Sequence, residues 1–576
     1  MNYKAEYERW LDSPALSERE WKELNDIKND EKEIENRFFA PLDFGTAGLR
    51  GTMKVGLHQM NIHIIRHATQ AFANVIAAEG EEAKKKGVVV CYDCRINSEV
   101  FAREAACVMA ANGIHVRIFD ALRPTPELSF AIRYYGAAAG LNITASHNPK
   151  EYNGYKVYWS DGAQLPPRQA SEIAKQMSEI DIFNGFKRVD FEEAVSAGNI
   201  EILGAETDEA FLSRVLGQAI DKEAVKRVAD KFHVVYTPFH GTGYKLVPEA
   251  LTRLGIKHIN CVPEQMVIDG AFPTVDSPNP ENPEGFYLAI VLAKEVNSDI
   301  IIGTDPDADR IGVMVRQSET GDYIAISGNQ LGVLLLDYVI SAKLRTGTMP
   351  SNPAALKTIV TTEMAKEVCE RNGVYTVDTF TGFKFMAEKI AEWEAAGSYE
   401  CIFAYEESYG YLMGDYVRDK DAVTASMMVA EMAAYYYEKG MSLKDALDSL
   451  YEKYGNYAEK TLNLVMPGLD GLQKMAALMA RLRAEPLAEI AGVPVVKMRD
   501  YQSGDLSVSG LGVVGKTHIS GSNVLYFELA DGSSFIVRPS GTEPKVKVYL
   551  LVRDESQDKC AEKISKYAEF AETLKN

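Results

Sequence analysis

Cysteine is scarce in this sequence and does not come in pairs: there are seven, an odd number scattered over 576 residues. That excludes the disulfide framework of a small secreted domain and points to reduced thiols in a cytoplasmic setting. Long apolar runs are lacking too; nowhere do about 18 apolar residues follow one another, the length a membrane-spanning helix needs. The opening stretch MNYKAEYERW is charged, whereas an export signal would place a basic patch before an apolar stretch. Neither export nor membrane insertion is expected. Positive charge is in deficit, with a formal net charge of −20. This disfavours nonspecific binding to nucleic acid or anionic membrane, which depends on clustered Lys and Arg. A small anionic substrate stays open, because a local positive pocket leaves little trace in net charge. Low-complexity tracts are absent, and 46% hydrophobic with 25% charged residues is an ordinary globular composition.

The chain is longer than a single core can grow, so several domains are expected. The first ~40 residues are highly charged with apolar residues at helical spacing and read as helices. Short β-branched runs then alternate with Ala-rich helical stretches: GVVVCYD (87–93), IHVRIFD (114–120), GLNITAS (140–146), FHVVYTP (232–238), SDIIIGTD (298–305), LKTIVTT (356–362), YTVDTF (375–380) and ECIFAYEES (400–408). This rhythm indicates parallel α/β sheets, in three units of similar build. The last ~120 residues differ, with a hairpin around Asp531-Gly532 and a closing helix, as in an α+β domain. The expected fold class is therefore α/β with a C-terminal α+β domain, divided as 1–205, 206–325, 326–456 and 457–576.

GTDPDADR follows an apolar run and carries Asp305, Asp307 and Asp309 on alternate positions. In an extended segment these side chains would share one face just past a strand end. Unit charges ~4 Å apart interact by ~4 kcal/mol at an effective dielectric of ~20, so a divalent cation is expected between them. Oxygen ligands without nearby Cys or His favour Mg²⁺ over zinc. An EF-hand is excluded, because Arg310 and Arg316 stand where Gly and Glu are required. Ser146, in TASHNP, ends an apolar strand in a polar turn, where open α/β sheets present ligands. No Gly-x-Ser-x-Gly surrounds it, so the hydrolase elbow does not apply. A serine together with a Mg²⁺ loop suggests phosphoryl chemistry. VRPSGTEPKVKVY offers Arg538, Ser540, Gly541 and Thr542 as a phosphate-binding loop. AYEESYG offers Glu406 and Ser408 to sugar hydroxyls.

Several motifs lead elsewhere. Gly510 to Thr517 fits the P-loop expression, but extended chain rather than a helix follows it. Cys91 and Cys94 lack the second pair a zinc site needs. His63 and His67 share a helical face without the Glu of a zinc protease, and a packing role is expected.

Taken together and in order, these loops resemble those of the α-D-phosphohexomutase family, in its larger bacterial phosphoglucomutase and phosphopentomutase-like branch. The resemblance covers nearly the whole chain. It implies three similar α/β domains and a smaller α+β domain around a cleft. It makes Ser146 the phosphorylated serine, with His147 beside it, and Asp305, Asp307 and Asp309 the ligands of one Mg²⁺, the serine phosphate being a further ligand. Arg310 would lie in the cleft. FGTAGLRG would turn Thr46 and Arg50 to the reaction centre; YNGYK supplies Lys156, TFTGFKF supplies Thr381 and Lys384, and RDKDA supplies Lys420. Glu406 and Ser408 would take the sugar hydroxyls. Arg538, Ser540, Gly541 and Thr542 would hold the phosphate that is not transferred. His147, Arg50, Lys156 and Lys420 remain open as the acid–base group. Where many relatives carry glycines in the metal loop this chain has Pro306 and Ala308, which implies a stiffer loop.

The activity implied is interconversion of α-D-glucose 1-phosphate and glucose 6-phosphate through glucose 1,6-bisphosphate, with mannose or pentose phosphates as alternative substrates. Sugar phosphates are the expected partners of a monomer or dimer, without nucleic acid or membrane. Ser146→Ala should abolish turnover in a coupled assay while Lys516→Ala leaves it unchanged; the reverse would establish the P-loop instead.

Overall fold

The computed structural model describes residues 2–317, 319–466, 471–540 and 545–575. They form two compact units: 1–326 with 409–442, and 327–408 with 443–576.

The first unit opens on three short helices, Tyr3–Leu11, Glu18–Asp26 and Glu31–Phe38, each started by a side-chain cap from Asn2, Ser17 or Asp30. Trp10 is fully buried and packs edge-on against Phe38, His63 and Phe183. His63 is thus a core residue, and His67 Nε2 meets the Ile180 carbonyl at 3.1 Å. A six-stranded sheet follows, in the order Leu49–Thr52, Tyr152–Trp159, Ala139–Ile143, Val88–Tyr92, Val116–Phe119, Ile200–Leu203. Its last four strands are parallel, and the first two are antiparallel additions. Every residue of Val88–Tyr92 is buried. Val88 and Val90 enter one apolar cluster with the helices Ile62–Ala78 and Ser98–Ala111, while Val89 and Cys91 enter another with Leu128 and Ile132 of the helix Thr125–Tyr134. A strand covered on both faces needs such an uninterrupted apolar run.

The second sheet of this unit runs Tyr323–Ile326, Ile311–Arg316, Ile300–Thr304, His233–Thr237, His258–Cys261. Its last three strands are parallel. The helix Ala422–Glu438, far along the chain, packs on Lys222–Val228 and Gly243–Leu254 of this unit.

In the second unit, Pro353–Thr358 lies between the parallel strands Tyr375–Thr379 and Glu400–Glu406. This strand starts earlier than LKTIVTT predicts. It stops at Thr358 because the Thr361 amide turns back onto the Thr358 carbonyl (3.1 Å). The C-terminal part is a mostly antiparallel sheet that includes the expected hairpin, Leu525–Leu529 with Ser534–Pro539, and the closing helix Gln557–Thr573 covers it. Gly512–Lys516 is a strand paired to Asp505–Val508, and Lys516 Nζ meets Asp505 at 2.6 Å. No helix start is available there for a nucleotide phosphate.

Glu20 closes the capping box of the second helix and also approaches His63 Nε2 (3.2 Å). Burial raises its pKa, but His63 and the Ser17 hydroxyl and amide outweigh that and hold it at about 2. A carboxyl depressed on folding contributes stability above its unfolded value near 4.5, and loses it as pH falls towards 2. Glu20→Gln should therefore lower stability at pH 7 by ~1–3 kcal/mol. The difference from the unsubstituted protein should shrink in thermal melts taken below pH 4.

Candidate active site

The strand Ile300–Thr304 ends where the acidic loop begins. The three carboxylates converge, but not through an extended segment as expected: residues 305–309 form a turn with Ala308 at φ +50°. The turn wraps around Asp305, whose Oδ1 accepts the Asp309 and Arg310 amides at 3.0 and 2.9 Å. Outside contacts fix the loop, since the Thr242 amide donates to the Pro306 carbonyl and the Ala422 amide to the Ala308 carbonyl.

All three aspartates are buried. Cations come from two other segments. Lys156, on the antiparallel strand Tyr152–Trp159, places Nζ 2.8 Å from Asp307 Oδ2. Lys420 places Nζ 3.1 Å from Asp309 Oδ2. Asp419 also receives Lys420, at 3.3 Å, and the Tyr158 hydroxyl at 2.9 Å. Thr125, at the start of its helix, donates its hydroxyl to Asp307 Oδ2 (3.0 Å) and its amide to the Asp307 carbonyl (2.8 Å). Burial and the neighbouring Asp307 and Asp309 charges push Asp305 well above the usual carboxylate range. Burial works against Asp307 in the same way, but Lys156 overrides it and holds that group far below the ordinary range.

Each aspartate offers one oxygen within 4.8 Å of the others, the one such group among the described residues. Asp307 Oδ1 and Asp309 Oδ1 are buried without a protein hydrogen-bond partner. Buried carboxylate oxygens are rarely left so, and an all-oxygen donor set fits a hard divalent cation.

Ser146 reaches this cluster from the other sheet, following Ala139–Ile143. Its hydroxyl donates to Asp305 Oδ2 at 3.0 Å and lies 3.1 Å from His147 Nδ1. Burial, reinforced by the Arg310 and Arg50 charges, pushes the His147 imidazole well below its usual value. Arg50, on the strand Leu49–Thr52, donates to Asn148 Oδ1 at 2.8 Å. Thr46 sits in the turn before it, closed by paired hydrogen bonds between Gly45 and Gly48. Gly48 is required there: its φ is +78°, and a Cβ would lie 1.8 Å from the Tyr155 carbonyl oxygen. Arg310 pairs with Glu281 at 2.7 Å. Ser146, His147, Arg50, Lys156, Lys420 and the three aspartates thus gather in one unit.

The remaining candidates belong to the second unit. Glu406 is buried and accepts the Gly382 amide at 2.7 Å, which ties it to the turn bearing Thr381 just ahead of the helix Phe383–Ala396 that carries Lys384. Burial lowers the Lys384 pKa. Ser408 follows Glu407, whose Oε2 takes the Thr358 and Thr361 hydroxyls at 2.9 and 3.1 Å. Arg538 approaches the Tyr549 hydroxyl at 3.5 Å, and the Ser540 amide donates to the Lys545 carbonyl. Gly541 and Thr542 lie outside the described residues.

Sequence reasoning missed Asp93, Arg95, Thr125 and Asp419. Asp93 and Arg95 had a signal, since they follow directly on a buried parallel strand, where such sheets place functional groups. Asn142, buried inside an apolar strand, was the pointer to Thr125, whose Oγ1 it meets at 2.8 Å.

A buried hydroxyl against a cation-ready carboxylate cluster on an α/β scaffold is the arrangement of a phosphoryl-transfer enzyme. Residues 41–182, 209–320 and 327–454 match the α/β/α domains I, II and III of phosphoglucomutase/phosphomannomutase, and 475–564 match its C-terminal domain. The chain belongs to the phosphoglucomutase/phosphomannomutase family. A phosphoglucomutase of Staphylococcus saprophyticus is 33% identical over 553 residues, covering 95% of this chain and 97% of the relative. One of Staphylococcus aureus is 35% identical over 544 residues, covering 92% and 94%. Among solved structures, the open form of parafusin, a phosphoglucomutase from Paramecium, has a TM-score of 0.67 at 18% identity, covering 93% of this chain and 96% of that one. A Burkholderia thailandensis member of the family gives 0.66 at 19%, covering 92% and 97%. These two likenesses support the fold. No helix among the described residues is long and apolar enough to cross a membrane.

Asp307→Asn and Asp309→Asn should each weaken divalent-cation binding by about tenfold or more, since a neutral amide offers a poorer ligand. Isothermal titration of the unphosphorylated protein with Mg²⁺ measures this directly.

Proposed function

We propose that this enzyme is a cytoplasmic phosphoglucomutase, interconverting α-D-glucose 1-phosphate and glucose 6-phosphate by way of phosphorylated Ser146. The observation that carries the reading is the Ser146 hydroxyl hydrogen-bonded to Asp305 within the carboxylate cluster. Near full-length similarity to enzymes named phosphoglucomutase supports the choice of glucose. The division at about residues 205, 325 and 456 is part of the same proposal, and matched segments that fall on either side of these points support it.

In the first half-reaction the bond between Ser146 Oγ and phosphorus breaks as the free sugar hydroxyl oxygen bonds to that phosphorus. The hydroxyl proton passes to a neighbouring base, and the departing Ser146 Oγ takes up a proton to become the free hydroxyl again. His147 has a ring nitrogen 3.1 Å from Ser146 Oγ, whereas Lys156, Lys420 and Arg50 are engaged by Asp307, Asp309 and Asn148. The glucose 1,6-bisphosphate so formed turns around, and its other phosphoryl group returns to Ser146 Oγ, leaving the isomer. Asp305, Asp307 and Asp309 would hold one Mg²⁺, which screens charge at the transferring group. Arg50, Thr46 and Arg310 would bind substrate near the serine. Thr381, Lys384, Glu406 and Ser408 would take the sugar. Arg538, Ser540, Gly541 and Thr542 would take the resting phosphate.

The test starts from protein phosphorylated with glucose 1,6-bisphosphate. Intact mass should show one added phosphate that moves to unlabelled α-D-glucose 1-phosphate, and chelation should stop turnover until Mg²⁺ is restored. Phosphate retained on the protein, or kcat/KM higher for mannose or ribose phosphate, would overturn the assignment.

A further inference from the structure

Ser146 is not a glycine, yet its φ is +52°. A side-chain-bearing residue keeps such a conformation only where its surroundings over-determine it. Here the surroundings are specific. The Ser146 amide donates to Thr144 Oγ1 at 2.8 Å, and its carbonyl accepts from Arg95 Nη2 at 2.6 Å. Arg95 also donates to the Asn148 carbonyl, and through Nη1 to those of Pro149 (2.9 Å) and Tyr152 (3.1 Å). One planar guanidinium thus gathers four carbonyls of the serine loop. Asp93 stands behind both grips. Its Oδ2 accepts the Thr144 hydroxyl at 2.7 Å, which leaves a Thr144 lone pair for the Ser146 amide, and lies 3.3 Å from Arg95 Nε. Its Oδ1 accepts the Arg95 amide and the Ser98 hydroxyl at 2.9 and 2.8 Å. The side chains of Asp93 and Arg95 are fully buried, and the Phe272 ring lies 5.2 Å from the guanidinium.

We propose that Asp93, Arg95 and Thr144 form a brace that fixes the Ser146 peptide from both sides and aims its hydroxyl at Asp305. They are positioning residues for phosphoryl transfer, and the proposal rests on the phosphoglucomutase reading above. A brace acting through geometry alone should affect turnover much more than substrate affinity, because small misplacements of a reacting atom are costly.

Thr144→Val keeps the shape and removes the hydroxyl, whereas Thr144→Ser keeps the hydroxyl. Thr144→Val should lower kcat by about 10–100-fold with KM little changed, and Thr144→Ser should restore turnover to near the unsubstituted level. Arg95→Lys, which loses the fork, should show the same fall in kcat. Equal turnover by the Val and Ser variants, or an unchanged kcat in Arg95→Lys, would overturn the brace. If Arg95→Lys does not fold, the Thr144 pair decides. Hydrogen exchange of the Ser146 amide gives a readout independent of the reaction: slow in the unsubstituted protein and Thr144→Ser, fast in Thr144→Val. Lack of turnover by the unsubstituted enzyme would defeat the phosphoglucomutase reading, and amide exchange would then decide the brace alone.

Discussion

Three carboxylates buried against one another are the constraint around which the first unit is built. Unpaired, they would repel one another strongly at interior dielectric values, and removing one partner of a buried ion pair typically costs ~3–5 kcal/mol. The chain meets this with groups from distant segments: Lys156 from an added antiparallel strand, Lys420 from beyond residue 408, the Thr125 hydroxyl from a helix start, and the loop's own amides. Two oxygens stay unmatched by protein donors. This remainder separates a cation site from a merely neutralised cluster.

Much of this was legible in the sequence because charge and spacing are visible there. Asp305, Asp307 and Asp309 announce, by standing on alternate positions, a cluster of like charge that must be compensated, and Ser146 follows an apolar strand as ligand-presenting residues do. The mode of convergence was not legible. Alternation in an extended chain and a turn through a left-handed Ala308 give the same three side chains, and nothing in the letters Pro-Asp-Ala separates them. Arg95 was overlooked for a related reason: its place just past a buried strand marks it as a candidate, but only the fold shows it buried beneath four carbonyls. The P-loop expression fails in the opposite way, because it matches letter for letter where the chain forms a hairpin.

The second unit solves a different problem with neutral donors. Glu407 is tied down by two threonine hydroxyls and Glu406 by a backbone amide, so both carboxylates are held from within their own unit. Lys357, buried beneath, pairs with Glu363 at 2.9 Å and Asp378 at 3.0 Å. These pairs outweigh burial and raise its pKa. This lysine also donates to the Thr361 carbonyl and so anchors the turn from which Thr361 reaches Glu407.

The segment 409–442 belongs with residues 1–326 although a whole stretch of the other unit intervenes. A ribosome that has translated as far as residue 408 has therefore not yet delivered the helix Ala422–Glu438 or Lys420. Up to that moment the nascent protein carries its acidic trio one counter-charge short. The full set of counter-charges around the cluster is complete only late in synthesis, after the intervening residues have already emerged.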